Sequence, residues 1–115
     1  MKTAIELIDE ERQRQIEKEG YSTTHDDEHA GGEIAMAAAC MAAPKDIYEL
    51  RMTNNKTVLF EDPYPWGEET YSRGEKGWHH LSTAEKKKGK KRLRQLQIAG
   101  ALIVAEMERL QRADG

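Results

Sequence analysis

The sequence holds one cysteine, three prolines, one phenylalanine and seven aromatic residues in 115. A lone cysteine, Cys40, excludes an internal disulfide and any zinc site built on paired thiolates. The unbroken apolar stretches, Ile34–Ala43 and Ile98–Ala105, fall far short of the roughly 20 residues a membrane-spanning helix needs. Met1-Lys2-Thr3-Ala4 runs straight into an acidic helical pattern with no apolar signal region. These absences predict a soluble, cytoplasmic protein that does not engage a membrane. There is also no nucleophile-elbow serine and no glycine-rich phosphate loop. Cys40 sits in an alanine-rich stretch without a basic activator, so no catalytic residue is assigned.

What is present is charge: 34% of residues are charged and 37% hydrophobic, which implies a thin core in a single domain spanning 1–115. The net charge of −3 hides an asymmetry. Residues 1–35 carry ten acids and four bases, whereas 86–115 carry three acids and nine bases. The front of the chain is therefore at −6 and the end at +6.

The periodicity predicts an all-α fold, a small bundle of three to four helices. An irregular, aromatic-rich insertion occupies about 45–80 and holds at most one short β hairpin. The first helix opens at Thr3, with Glu6 at the capping-box spacing, and ends near Gly20. Ile5, Ile8 and Ile16 mark its inner face, and the same face carries Arg12 and Gln15, which then need buried partners. A second helix is expected over Asp26–Ala42, its alanines allowing close helix packing. A short helix is expected over Lys45–Met52, a turn at Asn54-Asn55 and a strand over Thr57–Phe60. The glycines and prolines from Pro63 to Gly77 predict no regular element. The final helix is expected to run from Ser82 to about Arg112, with Leu93, Leu96, Ala99, Leu102, Ile103 and Leu110 inward. Ile98–Ala105 is apolar on nearly every face, which predicts burial on all sides and a homo-oligomer.

Three clusters carry candidate chemistry. On one continuous helix Asp26, His29 and Glu33 share a face, a set able to ligate Mg²⁺ or another divalent metal. The run Lys86-Lys87-Lys88-Gly89-Lys90-Lys91-Arg92 opposes its own helix dipole and attracts phosphate, with Lys88, Lys91 and Arg92 as candidate contacts. Trp66, Tyr71 and Trp78 are candidates for stacking on a base, with His25, Arg12 and Gln15 lining the pocket. Specific DNA binding is not expected, because no helix-turn-helix spacing is present and the chain is acidic.

Several strings resemble a group of small phage and prophage proteins. They are Glu11-Arg12-Gln13-Arg14-Gln15, Glu19-Gly20-Tyr21, His25-Asp26-Asp27-Glu28-His29, Gly32-Glu33, Pro65-Trp66, and Ala99–Ile103 with Ala105–Leu110. More distantly, the chain is similar to the MazG-type all-α nucleotide pyrophosphohydrolases, whose two acidic motifs bind Mg²⁺. Asp26, Asp27, Glu28 and Glu33 stand in loosely for the first motif; the second is missing. The resemblance, joined to the residue inventory, implies a phage accessory protein of anti-defence type acting in the host cytoplasm. Such a protein binds and sequesters a nucleotide-like or cyclic-nucleotide signal, and needs no cofactor. The alternatives are a Mg²⁺-dependent MazG-like pyrophosphohydrolase and a protein that binds and inhibits a host defence protein.

Overall fold

The computed structural model describes the backbone of all residues except 57, 62, 67–70, 75, 76, 81 and 115. Side chains are described except at those positions and at 51, 58–61, 71–74, 77–80, 82, 84 and 85. The order is α1 (Ala4–Lys18), α2 (Thr23–Asp27), α3 (Glu33–Ala42), β1 (Glu49–Met52), β2 (Val58–Glu61), β3 (Tyr71–Gly74), β4 (Gly77–His80), α4 (Ser82–Lys87) and α5 (Arg92–Asp114).

The body is the small helical bundle that the sequence predicts. α1 is held at its start by the Thr3–Glu6 capping box, each side chain bonded to the other residue's backbone N–H at 3.1 Å. α5 is the central element, packed against α3 on one flank and α1 on the other. The α3–α5 contact is built from small residues: Ala37, Ala38, Ala99 and Ala105 are buried with Ile34, Cys40, Met41 and Leu102. Tyr64 closes this core from the connecting segment, with Tyr21, Trp66 and Ile98 packed at its edge. Each large apolar side chain fully withdrawn from water here contributes about 1.5–3 kcal/mol. The α1–α5 contact is equally close. A Cβ built on Gly100 would lie 2.7 Å from Ile8 Cδ1, so only glycine fits there without displacing Ile8.

Four expectations are corrected. The helix over Asp26–Ala42 is broken: α2 stops at Asp27, and Gly32 takes φ 91° to start α3 afresh. The helix over Ser82–Arg112 is likewise divided, at Gly89 with φ 74°. A left-handed residue cannot continue a right-handed helix, and glycine adopts that conformation without cost from a side chain. The segment predicted helical over Lys45–Met52 ends in strand β1, which pairs antiparallel with β2 across the Asn54-Asn55 turn. Gly74 and Gly77, read as breakers, instead close the β3–β4 pair. The four strands form one sheet in the order β1-β2-β4-β3, with β2 and β4 parallel.

The apolar stripe of α5 is also placed differently. Ala99, Ala101, Leu102 and Ala105 are buried, while Leu93, Leu96, Ile103 and Leu110 remain exposed. Ile98–Ala105 is therefore covered on two flanks and open on a third. No helix among the described residues is long and apolar enough to cross a membrane.

Candidate functional site

α1 turns three polar side chains inward. Glu11, Arg12 and Gln15 are buried, while Ile5 and Ile16 stay exposed. Partners from distant elements make this tolerable. Arg12 donates to Asp26 Oδ2 at 3.0 Å, to Glu108 Oε1 at 3.1 Å and to the Tyr21 carbonyl at 3.2 Å. Glu11 accepts from Arg14 at 2.5 and 2.9 Å, and Arg94 of α5 lies 2.9 Å from it. Burial opposes the charge on Glu11, but these guanidinium hydrogen bonds outweigh it and hold its carboxyl below the ordinary range. Sequence reasoning finds Arg12 and Gln15 from the helical face. It misses Glu11, whose partner Arg94 lies 83 positions away.

Above this network sits an aromatic cluster. Tyr21 and His25 stack with centroids 4.7 Å apart, His25 lies 4.6 Å from His29, and Trp66 contacts Tyr21, His25, His29 and Tyr64. His25 Nδ1 is 3.0 Å from Asp26 Oδ1, and His29 Nδ1 is 3.1 Å from Glu33 Oε2. Desolvation opposes the charge on Glu33. The bond from His29 and backbone N–H groups outweigh it and keep the carboxyl below its usual range. Burial, with Glu19 adding, pushes the Tyr21 hydroxyl up to about 12.

Tyr21 and Tyr64 also line a small cleft of about 100 Å³ with Gln15, Arg14, Lys86 and Lys90 at its polar side. Gln15 is 1% exposed, and its Oε1 has no hydrogen-bond partner among the described residues. Its amide nitrogen makes a long bond to Glu11, 3.5 Å. Trp66 Nε1 is the other buried side-chain polar atom without a partner among the described residues. Three cations, Arg14, Lys86 and Lys90, face one acid, Glu19, around the cleft, a balance of +2. Arg14 is already paired with Glu11 and Glu19, so Lys86 and Lys90 carry the field that an anion meets.

The structure brings Gln15, His25 and Trp66 into one neighbourhood and places Arg12, Arg92, Lys88 and Lys91 elsewhere. Arg12 does not line an open pocket, because its guanidinium is consumed by Asp26, Glu108 and the Tyr21 carbonyl. Arg92 is a structural cap: it donates to the Ala42 and Ala43 carbonyls, and Lys87 joins it on Ala43 at 2.8 Å. Carbonyls at a helix C-terminus lack intrahelical donors, so part of the basic run exists to satisfy α3. Lys88 and Lys91 are exposed and do not line the cleft, whereas Lys86 and Lys90 do. Tyr71 and Trp78 lie in β3 and β4, and their side chains fall outside the described residues.

Asp26, His29 and Glu33 do not share a helix face, since the chain breaks between α2 and α3. Asp26 turns inward to Arg12, and no group of three His, Cys, Asp or Glu among the described residues is placed to hold a metal.

Comparison with protein-family models, with curated proteins and with solved structures finds no match to this chain. The functional reading therefore rests on the chemistry of the cleft.

Proposed function

We propose that the protein is a binding protein for a phosphorylated, nucleotide-like small molecule, acting by sequestration as a phage accessory factor of anti-defence type. The observation that carries this reading is Gln15 Oε1, a buried acceptor without a donor among the described residues, at the wall of a cationic, tyrosine-lined cleft. A buried amide oxygen left unpaired costs about 1–3 kcal/mol, which a ligand N–H would recover on binding. A nucleobase edge offers such N–H groups, its π-face suits Tyr21 and Tyr64, and its phosphate suits Lys86 and Lys90. About 100 Å³ holds one end of such a ligand, since sites that enclose a drug-sized molecule run to roughly 300–1,000 Å³. The phosphate end then lies at the mouth, where the lysines are.

The Mg²⁺-dependent hydrolase reading draws less support, because the Asp26 carboxylate it needs is engaged by Arg12. Native mass spectrometry against nucleotide and cyclic-nucleotide mixtures, with and without Mg²⁺, tests the proposal. Retention of an intact ligand is the expected result. Mg²⁺-dependent turnover that is lost in Glu33→Gln would replace sequestration with catalysis. Neither retention nor turnover would end both readings.

A further inference from the structure

α5 carries a feature that neither the cleft nor the core uses. Leu93, Leu96, Gly100, Ile103, Met107 and Leu110 follow a strict alternation of three and four residues along its length. That is the 3.5-residue period of a coiled-coil seam, in which each large side chain inserts between residues of a facing helix. Among the described residues the seam has no facing helix along most of its length. Leu93, Leu96, Ile103, Met107 and Leu110 are each between 43% and 64% exposed, while Gly100 is closely approached by Ile8. Beside Ile103 and Met107 runs a groove floored by Ala35, Ala38, Ala39 and Ala42.

We infer that this face is the contact between two copies of the chain, packed about a two-fold axis with their α5 helices antiparallel. Three observations select a second copy. The seam contains no charged residue, so a strongly acidic or basic partner finds nothing to pair with. The face is self-complementary: about a central two-fold axis Leu96 and Ile103 of one copy meet Met107 and the small Gly100 of the other, as an isologous interface requires. The five exposed side chains present on the order of 500 Å² of apolar surface, most of the roughly 800 Å² per partner of a standard interface. The alanine flank supplies more.

Charge selects the orientation. A parallel pair would set the two Lys86–Arg92 runs side by side, whereas an antiparallel pair holds them apart by a helix length of roughly 35 Å. In the central antiparallel register Leu96 faces Met107 of the other copy, pairing the two kinds of seam position.

Sedimentation equilibrium of the intact chain tests the contact. The expected mass is twice 13.1 kDa. Ile103→Glu with Met107→Glu halves it while circular dichroism retains the helical signal; should that variant fail to fold, Leu110→Lys near the helix end serves the same purpose. A wild-type monomer at every concentration, or a dimer unaffected by the seam variants, overturns the inference. Orientation is read by mixing Leu96→Cys and Met107→Cys chains under oxidation. A mixed disulfide supports the antiparallel pair, and disulfides only between like chains overturn it.

Discussion

Arg12 of α1 and Asp26 of α2 meet at 3.0 Å with both side chains almost wholly withdrawn from water. This pair fixes the short helix that carries His25 to the long helix that carries Gln15. A buried ion pair of this kind adds little net stability over an apolar substitute, but removing one partner strands the other charge. Arg12→Ala is expected to lose about 3–5 kcal/mol in urea unfolding, whereas Arg12→Met with Asp26→Leu loses much less. Additive losses in the double variant would show that the two side chains act independently.

The carboxyl of Glu11 sits below its ordinary value of 4.5 in the folded chain. A depressed carboxylate adds stability above the unfolded value, and that stability is lost as pH falls through the folded value. Melting temperature is therefore expected to drop as the solution is acidified below about pH 4.5. Glu11→Gln should start lower and show a flatter acid limb. An acid limb unchanged by that substitution would assign it to other carboxylates.

Tyr21 gives the opposite limb. Its hydroxyl is raised from 10 to about 12, so the folded state keeps a proton that the unfolded chain releases. Its contribution is complete below pH 10 and is lost as pH rises toward 12. Ultraviolet titration of wild type against Tyr21→Phe should isolate one tyrosine ionising near 12. A difference spectrum centred near 10 would place Tyr21 in water.

Gly100 and Ile8 set the distance between α5 and α1. Gly100→Leu gains helix propensity but overpacks this contact, with a net loss of roughly 1–3 kcal/mol and weaker hydrogen-exchange protection confined to α1. Unchanged protection of α1 would mean that Ile8 moves aside freely.

These four relationships were not equally visible in the sequence. The capping box at Thr3 and Glu6 is local chemistry, and so is the inward turn of Arg12 and Gln15 on a helix whose period is clear. The alanines of α3 announce close packing for the same reason. The breaks at Gly32 and Gly89 are less legible, because a glycine can continue a helix or end it, and the choice depends on tertiary contacts. Each strand of the sheet is four residues long, too short for alternation to stand out against flanking glycine and proline. Glu11 has a local partner in Arg14, but its tie to Arg94 and the capping role of Arg92 depend on partners 83 and 50 positions away, beyond any local pattern. The cleft inherits that limit: Gln15 was readable, whereas the selection of Lys86 and Lys90 over Lys88 and Lys91 depends on where α4 ends.

That selection is the most direct test of the binding account. Once a retained nucleotide is identified, its affinity is measured by isothermal titration at two salt concentrations for two paired variants. Lys86→Ser with Lys90→Ser is expected to weaken binding roughly tenfold to a hundredfold and to flatten the salt dependence. Lys88→Ser with Lys91→Ser should leave both nearly unchanged. Equal losses in the two pairs, or none in the first, would contradict the placement of the ligand in the Gln15 cleft.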